Sequence, residues 1–217
     1  MLFRSIQRFS STDFIHHAYA CRIKSYTLGR RITAMSDLYP FVLENARAMV
    51  FVDGENLAIR YGNALKTRSA SPEQHVWYLP NIAVWTEALS PNSNSIPGTR
   101  VLRKHYYTSV KGDEVALQDA TDCLKRYNFE APRVFKKNKS KGSKRVDISL
   151  TTEMLLHASR KHYEIAVLVA GDEDYVPLVQ AVKSEGARVH VWFLGDGLSP
   201  KLREEADYFV ELDEFLL

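Results

Sequence analysis

The sequence predicts an α/β fold with three layers, in which a central, mostly parallel sheet is flanked by helices on both faces. From about residue 48 onward, strand patterns alternate with helix patterns, and this alternation is typical of parallel strands connected by helices. Two continuous apolar runs, at 48–52 and 165–170, have the composition of strands buried on both faces. In sheets of this kind, ligands bind beyond the carboxyl ends of the strands.

The N-terminal half of the sheet is predicted from short apolar runs separated by polar loops. The strand AMVFV (48–52) closes with DGEN, and a helix is expected over 57–66. The segment LPNIAVWTEAL (79–89) is predicted to be a helix that begins near Asn81. The stretches KTRSASPEQ and SPNSNSIPG are loops by composition. RVLRKHYYTSV (100–110) is the next predicted strand.

The middle of the chain is predicted to contain two helices and a strand. Residues 113–127 and 147–162 have the spacing of helices with an apolar face, and PRVFKK (132–137) between them is predicted to be a strand. The side chains of these helices that we expect to face the core are Val115, Leu117, Cys123, Leu124, Ile148, Leu150, Leu155 and Leu156.

The C-terminal part repeats the alternation of strand and helix. The strand at 164–171 leads into a helix over 175–186, with Pro177 in its first turn and Gly186 at its end. The remaining predicted elements are a strand, a short helix and a final segment, at 188–195, 199–206 and 207–216.

Length and composition indicate one globular domain. The 217 residues fall within the usual domain size of about 50 to 250 residues. We place an N-terminal extension at 1–46 and the folded domain at 47–217. No apolar stretch approaches the roughly 20 residues that cross a bilayer, so we expect no membrane partner. Two cysteines, Cys21 and Cys123, support neither a disulfide framework nor a structural zinc site.

The N-terminal extension is basic, while the rest of the chain is slightly acidic. Residues 1–36 contain six basic side chains and a single acidic one, Asp13. This composition resembles a mitochondrial transit peptide, but an unstructured arm or a true start at Met35 explains it equally well. The scarcity of cysteine indicates a reducing compartment. We therefore expect a cytoplasmic location, with mitochondrial import as the alternative in a eukaryote.

Carboxylates from three segments are expected to meet at one edge of the sheet. Asp53 follows the first strand, and Asp172 and Asp174 follow the strand at 164–171. Asp147 begins the helix before that strand and can lie at the same edge. Like charges in a partly desolvated cleft raise one another's pKa, and a divalent cation such as Mg²⁺ or Mn²⁺ relieves the repulsion. The predicted metal ligands are Asp53, Asp147, Asp172 and Asp174, and the predicted catalytic residues are these four with Asn56, which can hold Asp53 by a hydrogen bond.

A structural role is the alternative for most of these side chains. Asp174 precedes a helix and can be its N-cap, and Asp147 can cap its own helix in the same way. Asp53 can stabilise the turn that follows it, and Asn56 can cap the helix that comes next. For Asp172, folding offers no comparable reason for a charge.

A basic run, FKKNKSKGSKRVD, leads directly to Asp147. Such a run is usually a solvated loop, but here it lies beside a candidate metal ligand, where basic side chains can hold a polyanion. Tyr106 and Tyr107 can stack on unpaired bases or pack as core aromatics. The candidate nucleic-acid-binding residues of the run are Lys136, Lys137, Lys139, Lys141, Lys144 and Arg145.

Several other chemistries lack their motifs. Neither a P-loop nor a dinucleotide-binding glycine pattern is present. The histidines are scattered and form no catalytic triad or zinc motif. FVDGEN lacks the second aspartate, two positions after the first, that an aspartyl-phosphate phosphatase needs.

The segments FVDGEN, KRVDISL, VAGDEDYVPLVQAVKSEGARVHVW and LSPKLREEADYFVELDEF resemble the NYN domain, a branch of the PIN-like nuclease superfamily. The resemblance covers about residues 48 to 214 and implies a PIN-like, Rossmann-like fold and ribonuclease chemistry at a Mg²⁺ or Mn²⁺ site. The stretch from Lys66 to Gly98 is long for the connection after the first helix, and the Ser/Lys insertion before Asp147 loosens that match. The acidic positions of the family fall on Asp53, Asp147, Asp172 and Asp174, with Asn56 as the associated polar residue.

We therefore expect a metal-dependent endoribonuclease that hydrolyses phosphodiester bonds of single-stranded RNA. The alternative is a catalytically weak RNA-binding regulatory module of the same fold, and a phosphatase for small phosphate esters is a third reading. Both a monomer and a homodimer are compatible with the sequence.

Overall fold

In the computed structural model, which describes residues 45–89, 99–137 and 144–217, six strands form one parallel sheet and two form an antiparallel hairpin. The strands are β1 (Ala46–Asp53), β2 (Val76–Leu79), β3 (Ala83–Thr86), β4 (Thr99–Val110), β5 (Ala131–Lys136), β6 (Ile165–Val169), β7 (Arg188–Phe193) and β8 (Tyr208–Glu211). The helices are α1 (Gly54–Arg68), α2 (Glu114–Arg126), α3 (Lys144–Ser159), α4 (Val176–Ser184), α5 (Pro200–Glu205) and α6 (Asp213–Leu216). Short 3₁₀ turns occupy Glu87–Leu89 and Glu173–Tyr175.

The six-stranded sheet has the order β5-β4-β1-β6-β7-β8, with β1 and β6 at its centre. Alternate side chains of β1 enter separate cores, since successive residues of a strand point to opposite faces. Val50 and Val52 pack with α1, α6 and the β2–β3 hairpin, whereas Met49 and Phe51 pack with α3 and α4. Helices thus cover both faces of a parallel sheet, which confirms the predicted three-layer α/β fold.

The prediction of a helix at 79–89 is wrong. This segment contains the turn and second strand of the β2–β3 hairpin, and Asn81 at the turn has a left-handed backbone with φ of 59°. β3 is buried along its whole length. The Tyr106 hydroxyl accepts a hydrogen bond from Val84 N at 3.0 Å and donates one to Val84 O at 3.2 Å. These two hydrogen bonds satisfy the backbone N–H and C=O of Val84 in an extended conformation. In a helix, both groups would instead bond within the helix.

The other predicted strands and helices agree with the structure to within a few residues at each end, whereas the predicted loop SPNSNSIPG (90–98) lies outside the described residues. Among the predicted core positions of the helices, Leu124 and Leu150 are fully buried. Val115, Ile148 and Leu156 are instead 65%, 64% and 42% exposed, because they lie on the outer faces of α2 and α3. Leu117, Cys123 and Leu155 are half-buried. In the described part of the chain, no helix has both the length and the apolar character needed to span a bilayer.

Candidate active site

Asp53 is the last residue of β1 and lies at the carboxyl end of the sheet. It is also the N-cap of α1, and its Oδ1 accepts a hydrogen bond from Asn56 N at 3.1 Å. The side chain is nevertheless buried, with only 4% of the residue exposed. An N-cap needs only a polar oxygen, and serine or asparagine serves as well. A buried carboxylate at this position therefore needs an explanation beyond helix capping.

Tyr175 links Asp53 to Asp147. Its hydroxyl donates a hydrogen bond to Asp53 Oδ2 at 2.9 Å and lies 3.4 Å from Asp147 Oδ1. A phenol has one proton to donate, so the two carboxylates share a single neutral donor. No sequence pattern singled out this tyrosine, although it directly follows the acidic residues in GDEDY.

The electrostatics of Asp53 and Asp147 reflect burial and mutual repulsion. The pKa of Asp53 is raised to about 7, chiefly by burial; the hydrogen bonds from Asn56 and Tyr175 oppose this shift, and the charges of Asp147 and Glu55 act in the same direction as burial. Burial also raises the pKa of half-buried Asp147, and the charges of Asp172, Glu55 and Asp174 act in the same direction. No described Lys, Arg or His forms an ion pair with either of these two carboxylates.

Asp172 and Asp174 lie beyond the end of β6, the strand next to β1, and both are exposed. Asp172 is the N-cap of the 3₁₀ turn Glu173–Tyr175, and its Oδ1 accepts a hydrogen bond from Asp174 N at 3.2 Å. Asp172 therefore has a capping role that the sequence did not indicate, but a cap needs only a polar oxygen and does not explain the charge. Asp174 is not the N-cap of α4, since it lies within the 3₁₀ turn and Tyr175 occupies the N-cap position. Below, "acidic edge" means Asp53, Asp147, Asp172 and Asp174.

Asn56 lies in the first turn of α1 and does not cap the helix, which begins at Gly54. Its backbone N–H, rather than its side chain, bonds Asp53. The Asn56 Oδ1 atom is buried and has no hydrogen-bond partner among the described residues. A buried amide oxygen without a partner is costly, and it is also a suitable ligand atom for a hard cation.

The acidic edge supplies oxygen donors suited to Mg²⁺ or Mn²⁺, but not a closed cage of ligands. Across residues 45–89, 99–137 and 144–217, no three His, Cys, Asp or Glu side chains are grouped so as to hold a metal ion. Mg²⁺ commonly takes one or two carboxylates and keeps several waters. Asp53 and Asp147, which share the Tyr175 hydroxyl, have the composition of such an open site.

Glu55 is a further acidic residue that the sequence analysis missed. It is buried, with 4% exposure, and accepts a hydrogen bond from the Ser109 hydroxyl at the end of β4. It also forms an ion pair with Lys137, which directly follows β5. Its position two residues after Asp53 could have marked it as a site residue. Its partners, Ser109 and Lys137, could not be identified because they are distant in sequence.

The basic run has more than one structural role. Lys137 is committed to the ion pair with Glu55, whereas Lys136 and Arg145 are exposed. Lys144 opens α3, and Lys139 and Lys141 lie outside the described residues.

Tyr106 and Tyr107 cannot stack on bases, because both are fully buried. Tyr106 binds the β2–β3 hairpin, and the Tyr107 hydroxyl donates to Glu153 Oε2 at 2.8 Å. β4 continues to Val110, so these tyrosines lie within the strand rather than at its end. Their alternative reading as core aromatics is the correct one.

Comparisons with known proteins agree with this architecture. No curated protein sequence matches the chain. A crystal structure of a protein of unknown function from Vibrio parahaemolyticus RIMD 2210633 is similar, with a TM-score of 0.57 and 20% sequence identity over 81% of this chain and 98% of that chain. At this identity, the similarity concerns the fold alone. The model of the NYN domain family matches residues 47–213, and the chain therefore belongs to the NYN domain family.

Proposed function

We propose that this protein is a metal-dependent ribonuclease that hydrolyses phosphodiester bonds of single-stranded RNA at the acidic edge. The NYN family membership gives the chain a nuclease-like fold. The observation that carries the proposal is the pairing of Asp53 and Asp147 around one tyrosine hydroxyl, with no cationic partner for either among the described residues. Burial raises the pKa of both carboxyl groups, so a bound cation would remove an existing electrostatic penalty.

The residues that would hold Mg²⁺ or Mn²⁺ are Asp53 and Asp147, with Asp172 and Asp174 beside them at the same edge. When bound, such an ion lowers the pKa of a coordinated water and neutralises charge on a phosphoryl group. The chain's own contribution is positional. The backbone N–H of Asn56 fixes one oxygen of Asp53, and Tyr175 fixes the other against Asp147.

Binding of the RNA backbone is assigned to exposed basic residues beside the acidic edge. Arg145 lies in the first turn of α3, two residues before Asp147, and Lys136 ends β5. Basic side chains of this kind attract phosphates and make RNA affinity depend on salt. Lys137 is excluded from this role while it is paired with Glu55.

Cleavage of a labelled single-stranded RNA in Mn²⁺ tests the proposal. We expect Asp53→Asn and Asp172→Asn to lower the cleavage rate on the order of 100-fold or more, because each removes charge from the acidic edge. The matched control is Asp113→Asn. Asp113 is also an N-cap, accepting from Ala116 N at 3.1 Å, but it belongs to α2.

Undiminished cleavage by Asp53→Asn, or no cleavage by the wild type, would contradict the ribonuclease proposal. A wild type that binds RNA without cleaving it would instead be the regulatory module that is the alternative for this fold. A crystal soaked with Mn²⁺ provides a second test, since we expect anomalous density between Asp53 and Asp147.

A further inference from the structure

Arg60 is an exposed arginine on the helix that begins at Asp53. It follows Asn56 by four residues on α1, so the two side chains lie on the same face of the helix. Its stem packs against the backbone after β7, where a Cβ added to Gly197 would lie 2.8 Å from Arg60 Cδ and 2.9 Å from its Nε. The side chain of Arg60 therefore lies against the chain at Gly197 while it remains exposed.

The segment beneath Arg60 is joined to the acidic edge. Gly197 has a left-handed backbone with φ of 94°, and its carbonyl oxygen lies 2.7 Å from where a Cβ of Gly171 would be. Ser199 N donates a hydrogen bond to Gly171 O at 2.8 Å. Because Gly171 directly precedes Asp172, contacts run without a gap from Arg60 through Gly197 to the acidic edge.

The guanidinium of Arg60 has no acidic partner in the described part of the chain, although Asp196 adjoins Gly197. Other arginines are paired, as in Arg47 with Glu164 and Arg68 with Asp213. A guanidinium is a planar fork of donors that matches phosphate oxygens in a bidentate manner. Arg60 can therefore bind an anion, and no carboxylate among the described residues takes that place.

The position of Arg60 complements that of the basic residues already assigned to RNA. In the sheet, β5, which ends in Lys136, lies on one side of β1, while β6 and β7 lie on the other. Arg60 packs over the segment that follows β7, so it flanks the acidic edge from the second side. Positive charge on both sides of a carboxylate cluster suits a polyanion that crosses the cluster.

We infer that Arg60 binds a backbone phosphate of single-stranded RNA, next to the phosphate at the acidic edge and on the side away from Lys136. This inference rests on the proposed function, since it assumes that RNA lies across the acidic edge. Arg60 would be a second contact to the RNA backbone, so the RNA would be held on both sides of the acidic edge. Binding would then depend on an RNA long enough to reach the segment after β7.

RNA binding measured without cleavage tests this inference. Fluorescence anisotropy of a labelled single-stranded oligonucleotide in EDTA gives Kd over a range of KCl concentrations. We expect Arg60→Ala to raise Kd about tenfold and to lower the slope of log K against log salt by about 0.7, the value for one phosphate on a single strand. Arg60→Lys keeps the charge, so we expect it to retain the slope and to raise Kd less than Arg60→Ala does.

The matched control is Lys66→Ala, which removes one exposed positive charge from the same helix. We expect neither its Kd nor its salt slope to change. If Arg60→Ala behaves like Lys66→Ala while the wild type binds RNA, the Arg60 inference is wrong, whether or not the wild type cleaves. If the wild type binds RNA with the expected dependence on Arg60 but does not cleave it in Mn²⁺, only the ribonuclease proposal fails. A wild type that binds no RNA would overturn the Arg60 inference, and one that also fails to cleave RNA in Mn²⁺ would overturn both.

Discussion

Two buried carboxylates, Asp53 and Glu55, lie two residues apart in the chain and have the same 4% exposure, but their surroundings differ. Glu55 has a lysine ammonium and a serine hydroxyl as partners. Asp53 has one backbone N–H and one phenol, both neutral. The fold thus supplies a cation to one buried acid and, among the described residues, none to its neighbour. We interpret the difference as a division between a structural acid and an acid that is left available for an external cation.

The largest expected effect comes from removing the internal cation. Lys137→Met leaves Glu55 buried without a counter-charge, and breaking a buried ion pair costs about 3–5 kcal/mol of the free energy of unfolding. The double variant Lys137→Met, Glu55→Gln removes both charges and is expected to recover most of this loss. Urea unfolding at pH 7 measures both variants.

Lys136→Met is the control for that experiment, since Lys136 is the exposed neighbour of Lys137. We expect it to change the free energy of unfolding by less than about 0.5 kcal/mol. A cost for Lys137→Met as small as that of the control would mean that Glu55 does not depend on its ion pair, and the contrast with Asp53 would disappear.

The second effect is the pH dependence that Asp53 gives to stability. Its pKa in the folded protein is about 7, above the ordinary 3.8, so the folded state holds the proton more tightly than the unfolded chain between these values. The stability due to the protonated carboxyl is complete below about pH 4 and is lost as the pH rises through 7. Asp53→Asn does not titrate, so relative to the wild type it should gain roughly 3–4 kcal/mol between pH 4 and pH 8.

Urea unfolding in metal-free buffer across this pH range measures that gain. Asp113→Asn, at the exposed N-cap of α2, should show no comparable gain. The free energy of unfolding of Asp53→Asn, relative to the wild type, could instead be the same at pH 4 and pH 8. The pKa of Asp53 would then not be raised in the folded protein, and the contrast with Glu55 would be wrong.

The smallest effect concerns the shared tyrosine. Tyr175→Phe removes the hydroxyl that bonds Asp53, at an expected cost of about 1 kcal/mol. Because that hydrogen bond lowers the pKa of Asp53, its loss should move the pH-dependent fall in stability to higher pH. Tyr163→Phe is the matched control, since the Tyr163 hydroxyl donates to the backbone oxygen of Met154 at 2.8 Å. Tyr163→Phe should lower stability without changing the pH at which stability falls. If that pH shifts equally in both variants, Tyr175 does not act on the pKa of Asp53.

The part of the site that follows from the sequence is the part set by topology. Apolar runs identify β1 and β6 as buried parallel strands, and neighbouring parallel strands carry their carboxyl ends to one edge. Asp53 and Asp172 are therefore predicted to lie at the same edge without any knowledge of side-chain contacts. Asp147 also comes within reach, because α3 begins at this edge, after β5, and runs back toward the start of β6.

The rest depends on contacts that leave no local pattern. Ser109 and Lys137 lie 54 and 82 residues from Glu55 along the chain, and Tyr175 lies 122 residues from Asp53. The capping role of Asp172 depends on a 3₁₀ turn between β6 and α4, which the apolar spacing of the helix does not reveal. The hairpin was mistaken for a helix for the same reason, since its extended conformation is held by Tyr106 from another strand.

Tyr106 also contacts the start of α1. A Cβ on Gly54 would lie 1.8 Å from Tyr106 Cε1, so the residue after Asp53 must be glycine for the ring to fit. The same side chain therefore presses on the helix turn next to Asp53 with its ring and holds Val84 of the hairpin with its hydroxyl. Through Tyr106, the β2–β3 hairpin thus stabilises the turn that carries Asp53. Shortening the chain between α1 and β4 would thus loosen a support of the acidic edge, in addition to removing surface.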